Sequence, residues 1–559
     1  MLRLAPPLAL FVLAVPLACG LFGTILPAFG FLPAIGGTTL TLDPFADLFA
    51  QPGIARSAVQ SLLIGLVTTA ISLAMVAGFV CAWYGTRAFA LIQHLVSPLL
   101  AVPHAAAAFG FAFMIAPSGY LARLFSPWAT GWERPPDALI VNDPMGLALI
   151  GGLVIKEVPF LLLITLAALP QVPAMRALNL GQSLGYGRLM GFMFTTWPAL
   201  YRQIRLAVFA VIAYASANVD VAFILGPTTP ATLPVRLVDW MNDPDLSMRF
   251  MACAGAVLQV AVTGATLLIW VGLERVVGAL AERVCETGRR FRRDGWARTV
   301  AGGAMTVSAL LVFGGLAVLA LWSVAGLWQF PDALPDGLSL RAWMRSAPAL
   351  ADPFATTVII GLAATLISVA IALACLQREN QTGRTGGSRA LALVYLPLVV
   401  PQIGFLFGLQ LLLVAADADK SWAALIFVHT IFVLPYVFLS LSAPWRAYDR
   451  RYEALAMALG ASEARTFWRI RLPMLTRAVL TASAVGFAVS VGQYLPTLLI
   501  GAGRFPTITT EAVALGSGGD RRVIGVYAFL QMLLPLIGFA LASLVPALLF
   551  RNRRAIRAM

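Results

Sequence analysis

The sequence predicts an all-α polytopic membrane protein with about twelve transmembrane helices, arranged as two tandem halves of about six helices each. Composition is the first indication, because 60% of the 559 residues are hydrophobic and only 11% are charged. The second is that apolar windows of about 20 residues, long enough to cross a bilayer, follow one another almost without interruption. The third is an internal repeat that relates the two halves.

The basic residues predict how the chain is oriented in the membrane. They concentrate in a linker at residues 274–300 and in the C-terminal nonapeptide RNRRAIRAM, whereas residues 239–245 (DWMNDPD) are acidic. Because Lys and Arg favour cytoplasmic loops, we expect the linker and both termini on the cytoplasmic side. The chain then divides into a first half at 1–273, the linker at 274–300 and a second half at 301–559.

The internal repeat runs in the same direction in both halves. Residues Ile64–Ser72 (IGLVTTAIS) match Ile360–Ser368 (IGLAATLIS) at an offset of 296 residues, and Gly110 matches Gly408 at an offset of 298. Further along the chain the offset falls to 275, which indicates an insertion in the first half. Collinear repeats with an even number of spans are expected of a duplicated and fused membrane unit.

One pair of matching segments does not have the character of membrane core. Gly185 to Pro198 and Gly460 to Pro473 share a pattern in which a helix-forming stretch ends at a glycine and a proline precedes the next span. The second copy contains three arginines that would each cost a few kcal/mol in hydrocarbon. They are Arg465, Arg469 and Arg471. We therefore expect both segments, here called the first Gly/Pro loop (176–200) and the second Gly/Pro loop (450–475), to lie in water beside the membrane.

The second loop resembles the EAA loop of bacterial ABC importer permeases. The residues that carry the resemblance are Glu453, Ala454, Gly460, Ile470, Leu472 and Pro473. The resemblance implies a type I ABC importer fold in the bacterial inner membrane, with the loop lying in a groove of a separate ATPase subunit. It also implies two ATP-binding cassette subunits that use the ATP, an external or periplasmic substrate-binding protein, and no cofactor bound by this chain. Fused double permeases of this design look most like importers of thiamine or ferric iron.

The first loop departs from the family pattern. Gly185 and Pro198 are present, but Leu178 stands where the second loop has Glu453, and Asn179 where it has Ala454. Since the missing glutamate removes one possible anchor to a partner, we expect asymmetric coupling, with the second loop holding its ATPase more firmly.

Polar residues within the apolar spans are candidates for a substrate pathway. Asn218 and Asp220 lie near the outer end of the predicted fifth span, and Gln493 and Tyr494 occupy the equivalent place in the eleventh. Interhelical hydrogen bonding would explain them equally well. The neighbours Lys156 and Glu157 in the fourth span are interpreted as a structural pair.

Several other functions are disfavoured by the sequence. The chain has no G-x-x-x-x-G-K-[ST] loop for nucleotide phosphates, so it is not expected to hydrolyse ATP itself. Its three histidines lie far apart without metal-ligand spacing, which predicts packing or interfacial roles and no metal site. The formal charge of +14 reflects topology rather than nucleic acid binding, because the basic residues sit in short loops between spans.

Three alternatives to a permease subunit remain open from the sequence. A proton-coupled secondary carrier would use Asp220 or Glu157 as its proton site, but it leaves the Gly/Pro loops unexplained. A membrane-embedded enzyme would need a nucleophile, metal or acid pair at one depth, and no convincing set is present. A membrane scaffold gives no purpose to polar residues at matching positions.

Overall fold

The computed structural model describes residues 2–96, 99, 101–383, 386–419 and 421–550. The basic C-terminal nonapeptide, on which part of the predicted orientation rests, lies outside these residues. The described residues form helices joined by loops and include no β-strand. Along the first part of the chain the α-helices are α1 (Ala5–Ala28), α2 (Asp43–Ala50), α3 (Ile54–Trp83), α4 (Arg87–Val96), α5 (His104–Ile115), α6 (Tyr120–Phe125), α7 (Leu147–Ala168), α8 (Ala174–Ser183), α9 (Arg188–Thr195), α10 (Trp197–Ser216), α11 (Asp220–Leu225), α12 (Leu233–Met241) and α13 (Met248–Glu286).

The second part of the chain continues in the same style. Its α-helices are α14 (Gly295–Ser323), α15 (Arg341–Thr382), α16 (Ser388–Val399), α17 (Gln402–Ala415), α18 (Trp422–Ala447), α19 (Arg451–Ala458), α20 (Glu463–Thr466), α21 (Leu472–Met474), α22 (Thr476–Val491), α23 (Leu495–Gly501), α24 (Ile508–Gly516) and α25 (Arg521–Leu549). A π-helical stretch at Phe467–Arg471 separates α20 from α21, and 3₁₀ turns occupy Leu2–Leu4, Pro33–Ile35 and Leu169–Gln171.

The predicted all-α membrane fold is confirmed. Within the described residues, nine helices are long and apolar enough to cross a membrane. Two further spans are added if each sharply bent helix pair counts as one, which gives up to 11. These pairs bend by 89° between α16 and α17 and by 72° at the start of α22.

The sequence predicts about twelve spans, one more than the upper count of 11. The missing span is the one that α10 would supply. This helix matches α21 and α22 at the 275-residue offset, so it occupies the place of the predicted fifth span. It does not pass the same test of length and composition within the described chain. Arg202 and Arg205 lie in its N-terminal half, at the end that leads out of the first Gly/Pro loop.

Helix α1 crosses α17 with almost no space between the two backbones. A Cβ atom on Gly408 would overlap the carbonyl oxygen of Gly20, and one on Gly23 would lie 2.8 Å from the carbonyl oxygen of Gly408. The hydroxyl of Thr24 accepts a hydrogen bond from the N–H of Gly408 at 2.9 Å. Because the residues at the crossing are small, the two backbones can approach closely and gain dispersion contacts. Such contacts are a main source of association energy between helices in lipid.

A second crossing of the same kind joins α5 to α14. A Cβ atom on Gly110 would lie 2.8 Å from the carbonyl carbon of Gly315. Gly110 and Gly408 are equivalent positions of the internal repeat. Both crossings therefore have the same repeat glycine at the point of contact. In each case the first long helix of one half packs on the third-span helix of the other.

The crossing of α1 and α17 generates a prediction about stability. We expect Gly408→Ala to lower the apparent melting temperature of the purified protein, because overpacking a tight contact costs about 1–3 kcal/mol. Gly264→Ala in α13 is the matched control, since its Cβ would meet nothing within 4 Å. Ala is the better helix former, so this control should be neutral or stabilising. Equal melting temperatures for Gly408→Ala and the parent protein would contradict the prediction.

Candidate functional site

Both Gly/Pro loops contain a short helix that ends in the same backbone motif. Helix α19 ends before Gly460, whose φ is +82°, and α8 ends before Gly185, whose φ is +86°. In both loops the N–H of the glycine donates to the carbonyl three residues earlier, and the next N–H donates to the carbonyl five residues earlier, at 2.9–3.2 Å. This is the Schellman motif, which favours glycine because the conformation is left-handed. The prediction that Gly460 ends the helix is confirmed, and the same holds for Gly185.

Each of the two helices exposes a pair of leucines. Leu455 and Leu459 are 62% and 81% exposed, and Leu180 and Leu184, their equivalents at the 275-residue offset, are 58% and 55% exposed. These leucines are not among the residues predicted from the sequence. The signal was present, because both loops contain leucine, three residues, leucine and glycine, as LGQSLG and LAMALG. The leucines lie one helical turn apart and together form an apolar patch on each loop.

The second loop is anchored by an ion pair in the protein interior. Arg471 donates from Nη2 to Oε2 of Glu453 at 2.7 Å, and its Nε also contacts the other carboxylate oxygen. The side chain of Arg471 is only 2% exposed and that of Glu453 is 12% exposed. The expectation that Arg471 lies in water is therefore wrong, because the protein and not the solvent provides its counter-ion. Arg465 and Arg469 are exposed as predicted.

Arg471 also reaches two transmembrane helices. Its Nη1 donates to Oε1 of Gln377 near the end of α15 at 2.7 Å. Its guanidinium stacks over the rings of Trp445 and Tyr448, at the end of α18, with 5.1 and 5.3 Å to the ring centroids. Burial raises the pKa of the Tyr448 hydroxyl to about 12, and the charge of Glu453 adds to this effect, so the ring beside Arg471 stays neutral. One buried cation thus joins α19 to the C-terminal ends of α15 and α18.

The other residues that carry the resemblance lie in α19 and in the segment between α19 and α22. Glu453 lies in the first turn of α19 and Ala454 is exposed. Ile470 and Leu472 are partly buried, and Pro473 occupies α21. The next long helix, α22, begins at Thr476.

The first loop is anchored by apolar packing instead of an ion pair. Leu178, at the position of Glu453, is 1% exposed and belongs to a hydrophobic cluster with Phe79 and Phe192. Thr196, at the position of Arg471, is also buried. Pro198 is the second residue of α10, where its missing N–H costs no helical hydrogen bond.

The four predicted pathway residues lie at two equivalent breaks between helices. Asn218 and Asp220 lie at the break between α10 and α11, and Gln493 and Tyr494 at the break between α22 and α23. The Nδ2 of Asn218 donates to Oδ1 of Asp220 at 2.8 Å, and the side-chain Oδ1 of Asn218 accepts from the N–H of Ala222 at 3.1 Å. These bonds fix the orientation of the Asp220 carboxylate.

The two breaks approach each other through aromatic rings. Phe223 of α11 meets Tyr494 edge to face, with 6.1 Å between ring centroids. Asp220 and Tyr494 are both at least nine-tenths buried, whereas Gln493 is partly exposed. The structure thus brings Asn218 and Asp220 into one region with Tyr494.

Two further polar residues join this region. Oε1 of Glu157 in α7 lies 3.3 Å from Nε2 of His104 in α5. The His104 ring packs on Tyr214, with centroids 4.7 Å apart, and the Tyr214 hydroxyl lies 3.5 Å from Oδ1 of Asp220. A connected set of polar and aromatic side chains therefore runs from Glu157 to Asp220. The packing or interfacial role predicted for His104 did not include this partnership, because sequence spacing does not reveal which side chains meet across helices.

Two other polar residues in the spans have structural partners. Lys156, predicted to pair with Glu157, donates from Nζ to the carbonyl oxygen of Leu99 at 3.1 Å. His429 hydrogen-bonds Ser490 at 2.8 Å and Thr497 at 3.0 Å, which confirms the packing role predicted for it.

Comparison with known proteins connects these loops and spans to a family. Residues 366–553 match the family model described as the binding-protein-dependent transport system inner membrane component. The chain is 31% identical over 513 residues to the inner membrane ABC transporter permease protein YnjC of Escherichia coli (strain K12), covering 90% of this chain and 91% of YnjC.

Shorter matches extend to permeases of other transport systems. The molybdenum transport system permease protein ModB of Mycobacterium tuberculosis is 32% identical over 124 residues, covering 20% of this chain and 47% of ModB. The putrescine transport system permease protein PotI of Escherichia coli (strain K12) is 30% identical over 144 residues, covering 24% of this chain and 51% of PotI. The near full-length match to YnjC, with the fold and loops described above, shows that the chain belongs to the family of ABC transporter inner membrane permeases.

Proposed function

We propose that this chain is the permease subunit of an ATP-driven importer, with both membrane halves on one polypeptide. Its first half at 1–273 and second half at 301–559 would together form the substrate path. Two separate ATP-binding cassette subunits would dock on the cytoplasmic loops at 176–200 and 450–475. A binding protein outside the membrane would deliver the substrate. The observation that carries the proposal is that both loops present a helix of the same backbone geometry with an exposed leucine pair.

The leucine pairs fit a protein-docking role. Four leucines more than half exposed at equivalent positions are costly in water, because burying one such side chain is worth about 1.5–3 kcal/mol. An apolar patch bordered by polar residues is typical of a site that another protein covers. A groove on the ATPase subunit that accepts one helix would accept either loop, since the Schellman motif gives both helices the same end.

Arg471 is suited to transmit movement of the docked ATPase into the membrane. It holds Glu453 of the docking helix on one side and Gln377 and Trp445 of transmembrane helices on the other. A displacement of α19 would therefore move the ends of α15 and α18 with it. We propose alternating access on this basis, with a pathway that opens inward at rest and outward when ATP closes the ATPase subunits.

The pathway side chains favour a positively charged substrate. Glu157 and Asp220 contribute carboxylates, while Tyr214 and Tyr494 contribute aromatic rings that attract cations. Relatives include permeases named for putrescine, molybdenum and sulfate transport, so the family carries both cations and anions. Among the substrates that the sequence suggested, thiamine, a cation with aromatic rings, suits this lining better than ferric iron.

A proton-coupled secondary carrier is the second candidate. The connection from Glu157 through His104 and Tyr214 to Asp220 favours it, because such chains of titratable groups serve as proton relays in pumps and transporters. This reading gives no role to the exposed leucine pairs.

Substitutions in the leucine pairs test the docking surface. We expect Leu455→Asp and Leu459→Asp each to weaken ATPase association by roughly tenfold or more, since each places a charge in a desolvated contact. The measurement is the amount of ATPase subunit that copurifies with the tagged permease. Leu334→Asp, which alters a leucine of 63% exposure in the loop before α15, is the control. Association unchanged by the loop substitutions would contradict the proposal.

The same measurement tests the predicted asymmetry between the two loops. A smaller loss of ATPase association for Leu180→Asp than for Leu455→Asp would support the asymmetry, and equal losses would contradict it.

A double-mutant cycle tests the anchor of the second loop. Glu453→Leu leaves Arg471 buried without its counter-ion, so we expect a loss of about 3–5 kcal/mol in stability. The double variant Glu453→Leu/Arg471→Thr copies the Leu178 and Thr196 of the first loop and should recover most of that loss. Thermal unfolding of the purified variants, followed by fluorescence, measures both effects. A double variant no more stable than the single one would show that the buried charge is not the cause.

Reconstitution separates the importer from the carrier. Under our proposal, proteoliposomes containing the permease take up substrate only when ATP, the ATPase subunits and the binding protein are all present. Uptake by the permease alone under a proton gradient, abolished by Asp220→Asn, would replace the importer with the carrier.

A further inference from the structure

The linker between the halves contacts the first loop on its way from α13 to α14. After Glu286 the chain turns back, and residues 289–294, here called the strap, lie against the first loop. The carbonyl oxygen of Arg290 accepts a hydrogen bond from the N–H of Gly187 at 3.3 Å. The guanidinium of Arg290 donates from Nη1 to the hydroxyl of Tyr186 at 2.6 Å and stacks over the same ring at 4.7 Å.

The strap also provides a hydrogen-bond acceptor at the start of α9. Oδ2 of Asp294 accepts from the N–H of Leu189 at 2.6 Å. Leu189 is the second residue of α9, so this N–H is one of those that the helix itself leaves without a partner. Asp294 precedes α14 but makes no side-chain cap there, so its carboxylate serves the first loop.

The second loop shows what Asp294 replaces. There, Ser462 is the N-cap of α20, and its hydroxyl accepts from the N–H of Arg465 at 3.4 Å. The equivalent N-cap in the first loop, at the 275-residue offset, is Gly187, which has no side chain with which to cap α9. The linker thus provides from a distant part of the chain what Ser462 provides locally.

Gly187 is also sterically matched to the strap. A Cβ atom at this position would lie 2.5 Å from the carbonyl oxygen of Phe291 and 2.6 Å from Oδ2 of Asp294. Any other residue would push the strap away. Just beyond the strap, near the start of α14, the Nε1 of Trp83 donates to the carbonyl oxygen of Arg298 at 3.0 Å, and Arg298 stacks over the Trp83 ring.

We propose that the strap positions the first coupling loop, with Asp294 capping α9 and Arg290 holding Tyr186. The linker then takes part in coupling and is not only a tether between the halves. Asp294 and Arg290 are positioning residues that act through the loop. The functional part of this inference rests on the proposed docking of an ATPase on that loop, whereas the positioning itself does not.

Amide hydrogen exchange of the purified full-length chain tests the positioning directly. We expect Asp294→Ala to speed exchange in the peptide covering residues 186–196 about fivefold, the usual effect of removing a helix cap. Asp294→Asn retains a carbonyl acceptor and should restore protection. Ser462→Ala is the matched control, because it should speed exchange only in the peptide covering residues 461–471.

A split chain separates positioning from tethering. Cutting between Thr287 and Gly288 and coexpressing the two pieces leaves the strap intact on the second piece. We expect the first loop to stay protected in the split protein. Unchanged exchange in Asp294→Ala would overturn the proposal, and so would a split protein as unprotected as Asp294→Ala.

The functional readout is ATP hydrolysis by the copurified complex. Under our proposal, stimulation by the substrate-binding protein falls about fivefold in Asp294→Ala and returns in Asp294→Asn. Equal stimulation in Asp294→Ala and the parent complex would limit the strap to a structural role and overturn its part in coupling. If no ATPase copurifies even with the parent chain, the proposed function fails, while the exchange result still decides the positioning.

Discussion

Two glycine-on-glycine helix crossings join the two halves of this molecule and set how closely their helices approach. In lipid, helices gain little from the hydrophobic effect, so close backbone contact must supply the association energy. Helix α1 packs on α17 at Gly408, and α14 packs on α5 at Gly110. The first long helix of each half therefore packs against a helix of the other half. In the same arrangement the breaks after α10 and α22 lie near each other, with 6.1 Å between the ring centroids of Phe223 and Tyr494.

The two Gly/Pro loops show how one backbone geometry can be kept by different side-chain chemistry. Both helices end in a Schellman glycine, yet Arg471 and Glu453 anchor one loop and Leu178 anchors the other. A buried ion pair and a well-packed apolar residue often give similar stability, so the exchange need not cost the first loop its position. What differs is the kind of contact, because Leu178 shares an apolar cluster with Phe79 of α3, whereas Arg471 joins α15 and α18 through a hydrogen bond and ring stacking.

Much of this arrangement could be predicted from the sequence, because its causes are local. The all-α membrane fold follows from apolar span lengths, and the ends of α8 and α19 follow from glycines whose conformation other residues rarely adopt. Burial of Arg471 could not be predicted, since it depends on Gln377 and Trp445, which are distant in sequence. The partnership of Glu157 with His104 was missed for the same reason.

The repeat also supplies an internal control for the charged side chains in the membrane. At the 275-residue offset, Phe432 stands for Glu157 and Leu495 for Asp220, and both are almost fully buried. The same fold therefore packs well at these positions without a carboxylate. Charges within a membrane are expensive, so a purely structural role would be met by the apolar residues of the second half. We propose that Glu157 and Asp220 act in transport, and that the first half supplies the charge along the path while Tyr494 of the second supplies an aromatic wall.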